Sequence, residues 1–73
     1  MRIDRGHDMD LFAIIEKIRR KERITFADRM KVGEIEARLD SRNFLEESER
    51  MQSLMCELRG KLYYIREYLN NFG

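Results

Sequence analysis

The most constraining feature of this sequence is a set of apolar residues that recur every three or four positions along its second half. Their spacings are 4, 3, 4, 3, 4, 3, 4 and 3, and one member is polar. These residues, hereafter the seam, are Phe44, Ser48, Met51, Met55, Leu58, Leu62, Ile65, Leu69 and Phe72. A period of 3.5 residues held over this length indicates a helix that keeps one line of contact against a partner helix. The seam predicts one long coiled-coil-like helix over residues 43–72.

The long helix is expected to pass through Gly60 without a break. A glycine inside a helix costs about 1 kcal/mol relative to alanine. However, the seam keeps its register from Leu58 to Leu62, and a loop would have no reason to preserve that phase. At the other end, Asn43 can cap the helix with Glu46 three residues later.

A second helical pattern begins near the N-terminus. Asp8 or Asp10 can cap a helix, and apolar residues then recur at i, i+3, i+4 and i+7. These residues are Leu11, Ile14, Ile15 and Ile18. The pattern predicts an amphipathic helix over residues 9–22, preceded by an N-terminal arm at residues 1–8.

Residues 24–39 fit two patterns. At helical spacing their apolar surface is split, with Phe26, Met30 and Ala37 on one side and Val32, Ile35 and Leu39 on another. At a spacing of two, the same segment resembles a short β-hairpin. The sequence from Thr25 to Asp28 has the form of a capping box, with Asp where Glu or Gln is usual. We therefore predict a helix over residues 26–39, with a hairpin as the alternative.

The size of the chain points to self-association. A chain of 73 residues buries only about 60% of the surface that its unfolded form exposes. Cys56 is the single cysteine, so no disulfide within the chain can add support, and a lone thiol is typical of a reducing compartment. We expect an all-α helical bundle that is completed by homodimerisation through the seam.

The hydropathy and the net charge of the chain bear on its location and on its partners. No stretch reaches the ~20 apolar residues that a membrane span needs, and aspartates interrupt the N-terminal region where a signal peptide would be apolar. The expected location is therefore cytoplasmic. The net charge of +1 is too small to indicate a polyanionic partner by itself.

Catalytic and metal sites are not expected. His7 is the only histidine, and one histidine with aspartates near a terminus does not define a metal geometry. Cys56 has no acid or base at a meaningful spacing, so we interpret it as a small, half-buried filler. The expectation is a protein without enzymatic activity, metal or cofactor.

Two basic regions are candidate surfaces for a partner or a nucleic acid. The first is the basic cluster in KIRRKER, which consists of Lys17, Arg19, Arg20, Lys21 and Arg23. The second is the Arg/Tyr flank of the long helix, which consists of Arg59, Tyr63, Tyr64 and Arg66. Aromatic rings among cations are typical of surfaces that stack bases and hold phosphates. Each region also fits an ordinary structural role, either a solvated helix end or a flank packed against another helix.

With catalysis not expected, the predicted function is binding. We expect a small regulatory or adaptor protein, such as an inhibitor, that binds and modulates a larger protein or assembly. The alternative is a dimeric nucleic-acid-binding transcriptional regulator that uses the basic cluster, and a third hypothesis is a structural coiled-coil subunit.

Overall fold

The computed structural model describes residues 3–72, with side chains described as far as Asn71. This part of the chain forms α1 (Arg5–Arg19), α2 (Phe26–Asp40), a single 3₁₀ turn (Phe44–Glu46) and α3 (Glu49–Phe72). The all-α prediction is confirmed. Residues 3–72 contain no strand, so the alternative of a β-hairpin in the middle segment is wrong.

The start of α2 explains why the middle segment is a helix. The Asp28 N–H donates to Thr25 Oγ1 at 3.2 Å, and the Thr25 N–H donates to Asp28 Oδ2 at 3.0 Å. This reciprocal capping box satisfies two backbone donors that a helix start leaves unpaired. The predicted helix at residues 26–39 matches the observed Phe26–Asp40 to within one residue.

The start of α1 differs from the prediction. Asp4 caps the helix by accepting the Gly6 N–H at 2.9 Å, and His7 Nδ1 accepts the Asp4 N–H at 3.1 Å. Residues 5–8 are therefore helical, whereas the sequence pattern placed them in an N-terminal arm. Histidine at the third helical position is not the usual partner in a capping box, which concealed this start.

The end of α1 also differs, because the helix stops at Arg19 instead of residue 22. Lys21 has a φ of 60°. Its N–H donates to the Ile18 carbonyl at 3.1 Å, and the Glu22 N–H donates to the Lys17 carbonyl at 2.8 Å. These two bonds form a Schellman motif, which normally has glycine in the left-handed position. The lysine at that position concealed the helix end.

The long helix begins at Glu49 and not at residue 43. Asn43 Oδ1 accepts the Leu45 N–H at 3.1 Å, but it caps only the 3₁₀ turn, and Glu47 is extended. Ser48 Oγ then accepts the Met51 N–H at 3.3 Å. The one polar seam residue is thus the residue that caps α3. The prediction that the helix continues through Gly60 is confirmed.

Ion pairs give the directions of the three helices. Arg5 and Asp8 of α1 lie beside Glu57 and Lys61 of α3, at 3.9 and 2.7 Å between charged atoms, so these two helices run in the same direction. Arg59 of α3 pairs with Asp40 at the C-terminal end of α2. Arg66, two turns further along α3, pairs with Glu36. The chain is therefore an up-down-up bundle.

All three helices share one hydrophobic core. Its buried residues are Ile3, Leu11, Ile14, Ile18, Val32, Ile35, Leu39, Leu54, Met55, Leu58, Leu62, Ile65 and Leu69. Each helix contributes one face, as expected for amphipathic helices that bury their apolar sides together. Within residues 3–72, every helix is too short or too polar to cross a lipid bilayer.

Candidate binding surfaces

The seam lies mainly inside the single chain. Five of its residues are buried in the core: Met55, Leu58, Leu62, Ile65 and Leu69. Met51 is half-buried, Phe44 is exposed in the 3₁₀ turn, and the side chain of Phe72 lies outside the described residues. Because α1 and α2 cover this line, a second copy could reach it only if those helices moved away.

The basic cluster is divided between α1 and the turn that follows it. Lys17 is used within the fold, since its Nζ lies 2.8 Å from Asp28 Oδ2 in α2. The exposed side chains of Arg19 and Arg20 lie 3.4 and 3.9 Å from the carboxylates of Glu16 and Glu22. The last two members of the cluster, Lys21 and Arg23, are exposed in the connection between α1 and α2. Four of the five cations therefore gather at one end of the bundle.

The carboxylate of Asp28 has a lowered pKa. Burial alone would raise it, but the hydrogen bond from Lys17 and the hydrogen bonds with Thr25 outweigh that effect. The pKa of Asp28 therefore lies below its usual value of 3.8, and the side chain is ionised at neutral pH. An ionised Asp28 holds Lys17 at the α1–α2 contact and away from an external ligand.

The structure brings together three members of the Arg/Tyr flank. Arg59 and Arg66 lie on the side of α3 that faces α2, with Tyr63 exposed beside them in the same shallow groove. Arg59 pairs with Asp40 at 3.3 Å, and Arg66 Nε lies 3.1 Å from both carboxylate oxygens of Glu36.

The hydrogen bond to Glu36 is the main reason why the pKa of Arg66 lies above its usual value. Both arginines of the flank are therefore occupied by carboxylates of α2.

Tyr64 lies apart from this groove. It is three residues after Lys61, which pairs with Asp8 of α1, so its side chain lies on the α1 side of α3. Phe12 is one turn after Asp8 on the same side of α1. Because α1 and α3 run in the same direction, Phe12 and Tyr64 lie at the same level along the bundle. We refer to Phe12 and Tyr64 as the α1–α3 face, and Met9, one turn before Phe12, is exposed beyond its edge.

The patterns in the sequence did not indicate the α1–α3 face. Phe12 is 54% exposed and Tyr64 is 47% exposed, although both are large and apolar or aromatic. Met9 is more exposed than either. Met9 and Phe12 fall outside the i, i+3, i+4, i+7 pattern of α1, which is the signal that could have marked them as surface residues.

A second exposed apolar surface lies on α2. Phe26 is 75% exposed and Met30 is 61% exposed, and Gly33 and Ala37 continue the same side of the helix at spacings of three and four. We refer to these four residues as the α2 stripe. The sequence pattern separated Phe26, Met30 and Ala37 from Val32, Ile35 and Leu39 but assigned no role to either side.

The remaining candidate residues have ordinary positions. His7 takes part in the capping box of α1, and Cys56 is exposed, so the interpretation of Cys56 as a half-buried filler is wrong. Among the described residues, no group of three or more His, Cys, Asp or Glu side chains is placed to hold a metal ion.

Because comparisons with known proteins gave no match, the function is argued from the binding surfaces. No protein-family model matches the sequence, and neither the curated proteins nor the solved structures gave a match.

Proposed function

We propose that this protein is a small regulatory or adaptor protein that binds a larger protein through its α1–α3 face. The observation that carries the proposal is the exposure of Phe12 and Tyr64 at the same level of two adjacent helices. The core of the bundle is closed without them. Grouped apolar side chains that a closed core leaves in water are typical of protein interaction sites.

The composition of this face suits a protein ligand. Aromatic side chains dominate the binding energy at many protein interfaces, where they fill pockets on the partner. The ion pair between Asp8 and Lys61, 2.7 Å long and mostly shielded from water, lies beside Phe12 and Tyr64. An apolar centre with a polar border is the usual arrangement of such an interface.

The placement of the cations also favours a protein over a nucleic acid. Lys17, Arg59 and Arg66 all bind carboxylates of α2. Phosphate binding would have to compete with these ion pairs. The Arg/Tyr flank therefore supports packing of α3 against α2 more than it supports a stacking surface for bases.

Site-specific photocrosslinking tests the proposal. A photoreactive phenylalanine analogue in place of Phe12 should give one discrete crosslinked product in the native cell, and the partner in that product can be identified by mass spectrometry. The matched control carries the same analogue at Asn70, an exposed polar residue of α3, and should not give this product.

Competition with the unmodified chain makes the experiment specific. Wild-type protein in excess should suppress the product, whereas the Phe12→Ser variant should compete at least about tenfold less well, because an interfacial aromatic is worth more than about 1.4 kcal/mol. Equal competition by both proteins, or equal crosslinking from positions 12 and 70, would contradict the proposal.

A second candidate function, nucleic-acid binding, has one observation in its favour. The turn after α1 exposes Arg19, Arg20, Lys21 and Arg23 at the same end of the bundle. Cations that neutralise phosphates release counterions, so such binding weakens steeply as salt rises.

The two functions respond differently to charge reversal in the turn. A double variant, Arg19→Glu with Arg20→Glu, should abolish a mobility shift of DNA or RNA at low salt and leave the Phe12 crosslink unchanged. The absence of any shift with the wild-type protein at low salt would remove the second candidate.

A further inference from the structure

The α2 stripe is a second apolar surface, separate from the α1–α3 face. Phe26, Met30, Gly33 and Ala37 follow one another at spacings of 4, 3 and 4 residues, which is the spacing of a helix face that contacts another helix. The stripe lies on the side of α2 opposite the buried Val32, Ile35 and Leu39. α2 therefore has two apolar faces, of which the fold buries one.

Gly33 faces open space in the single chain. A Cβ atom added to it would meet nothing within 4 Å, and the residue lies in the interior of α2, where glycine destabilises a helix relative to almost any other residue. A glycine at such a position is useful when a side chain from another helix packs over it. Gly60 of α3 is equally open, so Gly33 supports a contact only together with the apolar residues beside it in the stripe.

We propose that two copies of this chain associate through their α2 stripes, with the two α2 helices antiparallel. A twofold axis between the residues of the stripe places Met30 over the second copy's Gly33 and Phe26 over the second copy's Ala37. Each large side chain then meets a small one. Parallel copies would instead place Phe26 against Phe26 and leave a gap at Gly33, which close packing disfavours.

The charges beside the stripe fit the same arrangement. Arg29 and Glu36 are seven residues apart and therefore lie on one flank of the stripe. In the antiparallel pair, Arg29 of each copy lies next to Glu36 of the other copy, so the twofold axis produces this contact twice. Glu36 already binds Arg66 of its own chain, so each contact extends an existing ion pair. The antiparallel arrangement also aligns the two helix dipoles favourably.

The expected association is weak and reversible. A stripe of four residues covers less area than the ~1,600 Å² of a standard protein interface. The dimer should therefore form with a Kd on the order of 100 µM and exchange rapidly. The proposal does not depend on the partner protein of the α1–α3 face, since the two surfaces share no residue.

Two matched substitutions test the interface by sedimentation equilibrium. Gly33 and Gly60 are both helical, and an added Cβ meets nothing within 4 Å at either position. Gly33→Gln and Gly60→Gln should therefore both fold, which circular dichroism will verify. Over about 10 µM to about 1 mM, the wild type and Gly60→Gln should show the same monomer–dimer equilibrium, and the Kd of Gly33→Gln should be at least about tenfold higher.

Two sedimentation results would argue against a dimer through the α2 stripe. A wild-type chain that stays monomeric up to about 1 mM would overturn the proposal. Equal dimerisation of the two glutamine variants would also overturn it, because the second copy would then bind at a surface other than the stripe. The Phe12 crosslink is measured separately. A result against the dimer therefore does not contradict binding through the α1–α3 face, and the reverse also holds.

Disulfide trapping tests the direction of the helices. In a Cys56→Ser background, chains with Phe26→Cys are mixed with chains with Ala37→Cys and oxidised. Antiparallel pairing should favour the mixed disulfide, because positions 26 and 37 face each other. A product dominated by Ala37→Cys chains joined to one another would contradict the antiparallel arrangement, since position 37 meets its own copy only in a parallel pair.

Discussion

Lys17 of α1 and Asp28 of α2 form an ion pair in which Nζ lies 2.8 Å from Oδ2, and the same carboxylate oxygen accepts the Thr25 N–H at 3.0 Å. One oxygen atom therefore closes the capping box of α2 and joins α2 to α1. The Asp28 side chain therefore links the end of the first helix to the start of the second.

Acid should weaken this connection selectively. The pKa of Asp28 is lowered in the folded protein, whereas the pKa of an aspartate in the unfolded chain is about 3.9. The stabilisation by the ionised Asp28 carboxylate is therefore complete above the pKa of this group in the unfolded chain. It is lost as the pH falls through the pKa of this group in the folded protein. At pH 7, Asp28→Asn should reduce the free energy of unfolding by about 1 kcal/mol.

Urea denaturation across pH provides the measurement. The difference between wild type and Asp28→Asn should shrink below about pH 4, because both proteins then carry a neutral side chain at this position. Other carboxylates titrate equally in the two proteins and cancel in the comparison. A difference that stays constant down to about pH 2 would show that the charge of Asp28 does not contribute.

At the end of α1, one substitution is expected to stabilise the protein. Lys21 holds a φ of 60°, which costs a non-glycine residue roughly 1 kcal/mol. Lys21→Gly should therefore raise the free energy of unfolding by about 0.5 to 1 kcal/mol. Arg20→Gly is the control, because Arg20 has a φ of −84° and gains nothing from glycine. Thermal unfolding that ranks Arg20→Gly above Lys21→Gly would contradict this account of the helix end.

The two ends of α1 also show where sequence patterns lose information. Apolar spacing identified the body of the helix, since its core residues Leu11, Ile14 and Ile18 need only their own periodicity. The ends depend on single hydrogen bonds made by residues that are uncommon in those positions, namely His7 in a capping box and Lys21 in a Schellman motif. A pattern based on frequent residues cannot register such exceptions.

The start of α3 yields a third prediction. Ser48 Oγ accepts the Met51 N–H at 3.3 Å, so Ser48→Ala should cost about 1 kcal/mol of stability. Ser48→Asp should restore it, because a carboxylate can accept the same hydrogen bond and interacts favourably with the helix dipole. Ser53→Ala, at an exposed position within α3, should be neutral or slightly stabilising. Chemical denaturation should separate these three variants, and equal effects at positions 48 and 53 would argue against a capping role.

The seam illustrates a different limit of sequence analysis. Its period established that α3 is helical and that one line of it is covered, as the burial of Leu58 and Ile65 shows. The period contains no information on which helix provides the cover. The α1–α3 face was missed for a related reason, because the positions of Phe12 and Tyr64 depend on how α1 and α3 are rotated, and that is visible only in contacts such as Asp8 with Lys61, 53 positions apart.

The contrast between the seam and the exposed faces leads to a final prediction. Leu58 is fully buried, so Leu58→Ala should cost about 2 to 5 kcal/mol. That loss is comparable with the whole stability expected of a chain this small, at roughly 0.05 to 0.15 kcal/mol per residue. Leu62→Asp should prevent folding outright, because it places an unpaired charge among the three helices.

Phe26→Ser should behave differently, since Phe26 is 75% exposed and makes little contact within the chain. We expect it to lose less than about 1 kcal/mol of monomer stability while weakening association through the α2 stripe. Denaturation at low protein concentration isolates the first effect, and sedimentation isolates the second. If Leu62→Asp remained cooperatively folded and Phe26→Ser did not, the assignment of the seam to the core and of the stripe to the surface would be reversed.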